Sequence, residues 1–178
     1  LSALHWKQEL SRTLSPPDPL SGPTTARPRL AVVGVGQTLR GDDGAGSVVA
    51  QAIAQRLAAQ PSPPSLLIID AGHAPENCLG PVVRFRPDVV LFIDAARVDA
   101  PPGTIVWLPI TQADSRQGGS THTLPLSMLG GYLAAETGAA VYVIGIQPHT
   151  TDMTGALSSP VARAVADVTD ALATLFHS

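Results

Sequence analysis

The chain has 178 residues, 44% of them hydrophobic and 14% charged, which is the composition of a globular protein. Its 11 basic and 14 acidic side chains leave a net charge of -3, and Lys7 is the only lysine, so nothing resembles a basic stripe and nucleic acid is not an expected partner. No apolar run approaches the ~20 residues that span a bilayer, and the single cysteine, Cys78, excludes an internal disulfide and a four-thiolate zinc site, so a reducing cytoplasm away from membranes is the expected setting.

In chain order, Leu1 to Pro28 holds a helical turn or two around Leu4, Trp6 and Leu10, followed by Pro16, Pro17, Pro19, Pro23 and Pro28. Residues 1–28 therefore read as a flexible proline-rich extension without the apolar block of a signal peptide, and residues 29–178 as one domain. Deleting Leu1 to Thr25 is expected to leave melting behaviour nearly unchanged. Leu30 to Val35 is a continuous apolar, β-branched run, the pattern of a strand buried on both faces. A glycine-bearing loop to Gly41 follows, and Val48, Val49, Ala52, Ile53 and Leu57 then recur at helical spacing.

Leu66 to Asp70 and Val89 to Asp94 are two further apolar runs, each closing on an aspartate, and Thr104 to Leu108 is a fourth after the turn Pro101-Pro102-Gly103. A long loop reaches His122, and a helix opens at Pro125, where the missing N–H costs nothing in a first turn. Ala139 to Ile146 is the fifth strand. The last helix takes Ser159 as its N-cap with Pro160 behind it, and Val161, Val165, Val168, Leu172 and Leu175 form its inward stripe. Strands alternating with helices imply an α/β fold: a three-layer α/β/α sandwich around a five-stranded, mostly parallel mixed sheet. The third connection is too short for a helical crossover, which makes the fourth strand the one antiparallel member.

Ligands of open α/β sheets bind beyond the carboxyl ends of the strands. Three groups fall there: the loop Gly34-Val35-Gly36-Gln37-Thr38-Leu39-Arg40-Gly41-Asp42-Asp43-Gly44-Ala45-Gly46, then Asp94, then His122. The loop fails as a phosphate cradle. Leu39 stands where a dinucleotide fingerprint needs glycine, no Gly-Lys-Ser/Thr is present, and Asp42 and Asp43 put negative charge where phosphate would sit. Carboxylates at a crevice mouth suit a cation instead. Each residue also has an ordinary structural role open to it: Asp42 or Asp43 as helix N-cap, Asp94 as a strand-end acceptor, His122 as a solvated loop residue. Their coincidence at one sheet edge offers an O, O, N ligand set with room for water or substrate. A serine or cysteine nucleophile has no support, since no Gly-x-Ser-x-Gly elbow exists and Cys78 has no evident histidine partner.

The stretch Val33 to Gly46 resembles the opening signature of the hydrogenase maturation endopeptidases. So do Asp70-Ala71-Gly72-His73-Ala74-Pro75-Glu76-Asn77, Ile93-Asp94-Ala95, Ser120-Thr121-His122-Thr123-Leu124-Pro125-Leu126 and Gly145-Ile146-Gln147-Pro148, in the same order from about Leu30 to Phe176. The Ala-Pro-Glu-Asn block and the Thr-His pair look most like the branch that matures the hydrogenase 3 type large subunit of formate hydrogenlyase. The resemblance implies an endopeptidase that removes a C-terminal extension from a nickel-loaded large-subunit precursor, with Asp43, Asp94 and His122 as metal ligands and catalytic residues. Gln37 departs from the asparagine usual in that family. His73 and His149 are expected at the rim, and Asp42 is expected to orient a water or cap the helix. Two carboxylates and one imidazole make a weak resident site, so the nickel is expected to arrive with the precursor. The sequence leaves the oligomeric state open, with a monomer expected. Two other readings remain: a nickel-sensing docking protein that binds the precursor without cutting it, and a metal-dependent hydrolase of small molecules.

Overall fold

The computed structural model describes residues 5–15, 27–58, 63–113, 125–153 and 155–176. Leu30–Val35 forms β1, with all six residues buried, as its unbroken apolar run requires. A strand buried on both faces needs a layer on each. Leu30 and Val32 point into one core with Leu91, Ile93, Ile144 and Ile146, while Ala31, Val33 and Val35 point into the other with Val90, Phe92, Val141 and Val143.

The further strands are β2 (Leu66–Gly72), β3 (Val89–Ala95), β4 (Ile105–Pro109) and β5 (Ala140–Ile146), and the sheet order is β2-β1-β3-β5-β4. β1, β2, β3 and β5 run parallel, and β4 pairs antiparallel with β5 at the edge. The expected five-stranded mixed sheet is thus the observed one. Among the helices are α1 (His5–Leu14), α2 (Ala45–Leu57), α3 (Leu79–Phe85), α4 (Leu126–Thr137) and α5 (Ser159–Phe176). α1, α2 and α5 cover the first core, and α3 and α4 the second. No described helix is long and apolar enough to cross a membrane.

α2 carries the chain from β1 to β2, and α3 carries it back past β1 to β3 on the other side. This reversal opens a crevice between the carboxyl ends of β1 and β3, the usual ligand position in such sheets. α3 was invisible to periodicity because its seven residues, with Gly80 and Pro81 among them, span too few turns to show an apolar stripe. It stops at Arg86, whose φ of 50° is left-handed. α4 opens at Leu126, with Pro125 extended at its N-cap. At α5 the first turn is received by the Ser158 carbonyl, which accepts from the Ala162 N–H at 2.8 Å, so the cap lies one residue before Ser159.

The expectation of a flexible extension is corrected over His5–Leu14. These residues form an amphipathic helix with Trp6, Leu10 and Leu14 buried in the first core. Spaced four apart, the three side chains line one helix face, and α1 lies against β4, where Trp107 stacks on Tyr142 at 4.8 Å between ring centroids. The prolines misled because they begin only at Pro16, beyond the helix.

Trp6 is 2% exposed. Trp6→Ala is therefore expected to cost about 3 kcal/mol or more and to lower Tm by roughly 6 °C or more in a thermal melt; an unchanged Tm would show that α1 does not pack on the domain. Gly131, in α4, has open space where a Cβ would go. Gly131→Ala should raise stability by about 0.5–1 kcal/mol in denaturant titration.

Candidate active site at the glycine loop

The loop after β1 is shaped by backbone meeting backbone. A Cβ on Gly46 would stand 1.9 Å from the Ile93 carbonyl oxygen and 2.4 Å from that of Val35, and one on Gly34 would stand 2.2 Å from the Gly46 carbonyl oxygen. The first turn of α2 therefore rests directly on the ends of β1 and β3, one residue short of Asp94. Gly36, at φ +134°, lets the chain turn where a Cβ would lie 1.8 Å from the Asp43 carbonyl oxygen. The Ser47 hydroxyl donates to the Gly36 carbonyl at 2.8 Å, and the Gly36 N–H donates to the Gly72 carbonyl at 2.8 Å, tying the loop to α2 and to β2.

Gly41–Gly44 is a 3-10 turn that carries the two adjacent carboxylates to different places. Asp43 is half-buried. Its Oδ2 accepts the Gln37 N–H at 3.1 Å, while no hydrogen bond reaches its Oδ1 from the described residues. The Gln37 contribution is a backbone one, which a glutamine supplies as well as an asparagine. Asp94 is 3% exposed at the end of β3, and its Oδ1 accepts the Ala95 N–H at 2.8 Å. The fold thus brings the Asp43 turn and Asp94 to one crevice. His122 lies outside the described residues. His73 and His149 have exposed side chains.

Asp42 departs from both expected roles. The N-cap position of α2 is Gly44, and no side chain bonds to the cap, so neither aspartate caps that helix. Asp42 is 0% exposed, and its carboxylate faces the segment joining β5 to α5. Oδ1 accepts the Ser158 N–H at 2.6 Å; Oδ2 accepts the His149 N–H at 2.8 Å, the Thr150 N–H at 3.2 Å and the Ser158 hydroxyl at 2.8 Å. The Asp42 N–H returns a bond to the Thr150 carbonyl at 3.2 Å. Burial alone would raise the Asp42 pKa. The Ser158 and His149 N–H groups, the Ser158 hydroxyl and the Thr150 N–H outweigh it, and the carboxyl is held below its ordinary range. With the folded value depressed, the contribution to stability is present above the unfolded pKa and is lost as the pH falls through the folded one. A buried donor deprived of its acceptor costs about 1–3 kcal/mol, so this carboxylate is first of all a tie. Ser158 and the backbone of His149 and Thr150 went unrecognised in the sequence, because a main-chain donor more than a hundred residues away leaves no local pattern.

Among the described residues no group of three His, Cys, Asp or Glu side chains is placed to hold a metal ion. Two members of the expected trio are described, and their chemistry fits a divalent cation: both offer hard carboxylate oxygen, and the Asp43 Oδ1 is left without a competing donor among the described residues. The Gln147 side chain serves the scaffold, its Oε1 accepting the Val98 N–H at 2.7 Å. Cys78 is buried, and burial pushes its thiol up to about 12, far from the thiolate that nucleophilic catalysis needs.

A family model described as hydrogenase maturation protease, HycI, matches residues 49–175, a span that holds Asp94 and His122 and begins just after Asp43. The hydrogenase 3 maturation protease of Escherichia coli K12 is 31% identical over 134 residues, which are 75% of this chain and 82% of that protein. Among solved structures, a hydrogenase maturation protease HycI from Thermococcus kodakarensis KOD1 superposes with a TM-score of 0.72 at 29% identity, covering 84% of this chain and 93% of that one. The endopeptidase HycI from Escherichia coli superposes with a TM-score of 0.70 at 30% identity, covering 84% and 92%.

Native protein treated with iodoacetamide at neutral pH should stay unmodified at Cys78, and protein unfolded in guanidinium should be labelled fully, as mass spectrometry will read. Rapid labelling of the native form would mean that the thiol is exposed or ionised.

Proposed function

Because the chain belongs to the hydrogenase maturation protease family, we propose that it is the endopeptidase that removes the C-terminal extension of a nickel-loaded hydrogenase large-subunit precursor. In this reading Asp43, Asp94 and His122 meet the metal. The observation that carries it is the pairing of the Asp43 turn with Asp94 at the topological switch of the sheet, with one Asp43 carboxylate oxygen free of donors among the described residues.

The nickel belongs to the substrate. A metal already fixed in the precursor can take the Asp43 and Asp94 carboxylates and the His122 imidazole into its open positions, whereas the same three ligands hold a free ion weakly. Held by these residues, the cation would supply Lewis acidity toward the scissile carbonyl and an attacking water. The residues of this chain then do three things. The carboxylates orient the metal, the imidazole completes the ligand set, and the close-packed glycine loop keeps Asp43 where the turn puts it. The buried thiol of Cys78 takes no part. A requirement for metal in the substrate makes cleavage conditional on a loaded precursor.

Incubating the purified chain with nickel-loaded and nickel-free precursor tests this by product mass. The loaded form should be shortened and the free form left intact, and brief chelation of the isolated protease should change little. Asp43→Ala, Asp94→Ala and His122→Ala should each abolish cleavage, and Tm should change little for the half-buried Asp43 and fall further for the buried, hydrogen-bonded Asp94. A stable uncut complex would instead favour a docking protein, and no interaction would favour a hydrolase of small molecules. A chelated protease that stays inactive until zinc is restored would overturn the substrate-borne metal.

A further inference from the structure

Asp42 sits beside a proposed ligand yet spends its entire carboxylate on a different segment. Its four acceptor contacts reach both ends of the loop that joins β5 to α5, at His149 and Thr150 on one side and at Ser158 on the other. A carboxylate that is 0% exposed and bonded to both ends of a loop sets where that loop lies. A second tie joins the same two segments, since the Gly155 N–H donates to the Leu39 carbonyl at 3.2 Å. Leu39, three residues before Asp42, is 62% exposed, and Met153, within the tied loop, is 71% exposed. A single exposed apolar side chain on a monomer needs no explanation. Here two of them stand on segments fastened to each other and to the turn that carries Asp43.

We propose that Asp42 is a positioning residue: by tying the β5–α5 loop to the glycine loop, it holds Leu39 and Met153 as a fixed rim against which the precursor's polypeptide docks beside the Asp43 and Asp94 crevice. The inference rests on the protease reading and names a determinant of substrate binding within it. Loss of the tie leaves Asp43 where it was, because the Asp43 N–H still donates to the Arg40 carbonyl and its Oδ2 still accepts the Gln37 N–H. The rim is then loosened while the group that meets the metal stays in place. An interaction of that kind is used equally in the ground state and the transition state, so its loss appears in KM and leaves kcat alone.

The test compares the unaltered chain, Asp42→Asn, Asp42→Ala and Met153→Asp in cleavage of nickel-loaded precursor, with amide hydrogen exchange as the structural readout. In the unaltered chain the His149, Thr150 and Ser158 amides should exchange slowly. In Asp42→Ala they should exchange fast while the amides of β1 and β3 stay protected, and KM should rise between about tenfold and about a hundredfold with kcat within about threefold of the original. Asp42→Asn, which keeps one carbonyl acceptor for the Ser158 N–H, should fall between the two. Met153→Asp alters an exposed side chain, so it keeps the fold whatever becomes of Asp42→Ala, and it should raise KM by the same route. A fall in kcat at unchanged KM would make Asp42 part of the chemistry and overturn the positioning role. So would unchanged KM in both Asp42→Asn and Met153→Asp, or fast exchange at His149, Thr150 and Ser158 in the unaltered chain. Failure of the unaltered chain to cut any loaded precursor would overturn the protease reading itself, and would be told apart by the exchange data, which need no substrate.

Discussion

The contact on which the site depends is between main chains: the first turn of α2 lies against the ends of β1 and β3 with no side chain between them. Gly34 and Gly46 make this possible, since a Cβ on either would fall well inside contact distance of a carbonyl oxygen. Backbone cannot move aside as a side chain can, so a methyl group at Gly46 would push the helix off the sheet and carry the Asp43 turn away from Asp94. Close packing of this kind, familiar where helices approach strands in nucleotide-binding sheets, is used here to bring a carboxylate rather than a phosphate to the crevice. The glycine pattern and the aspartates after it are two halves of one device.

Neighbouring aspartates in the same short turn have separate fates, and burial decides between them. A 3-10 turn advances about 120° per residue, so Asp42 and Asp43 cannot face the same way. Asp42 turns inward, where a charge is tolerated only if it is fully hydrogen-bonded, and it finds three N–H groups and a hydroxyl. Asp43 remains half-buried with part of its carboxylate still uncommitted to the described residues. The inward carboxylate ties two segments together, and the outward one keeps an oxygen that no described donor occupies. Exchanging the two would leave a charge unpaired in the interior and a saturated carboxylate at the crevice.

The amphipathic α1 shows how a segment outside the family match can belong to the domain. The matched residues begin at 49, and α1 ends at Leu14. Its buried face still closes the first core over β4, the antiparallel edge strand, whose Ile105 and Trp107 would otherwise have a smaller apolar cover. An edge strand with an exposed apolar side invites association with other chains, and a helix laid across it answers that hazard without touching the crevice.

The sequence alone determined the five strands, the helices α2, α4 and α5, and the placing of Asp43 and Asp94 beyond the ends of apolar runs. These are local matters: a run buried on both faces must be apolar throughout, a helix facing one core must repeat every three or four residues, and residues just beyond the runs must sit at the strand ends. It also carried the family resemblance, whose later blocks fall within the family model's match over residues 49–175, while the glycine loop from Val33 to Gly46 lies before it. Only the tertiary structure decided the strand order, the packing of α1 and the work of Asp42. In each case the partner is remote. Trp6 is buried in the first core on a helix that lies against β4, and Asp42 is bonded by main-chain donors of His149, Thr150 and Ser158, whose side-chain identities say nothing about where their N–H groups will point. A backbone donor is present at almost every position of any chain, so nothing in the letters of the sequence marks which three will converge on one carboxylate.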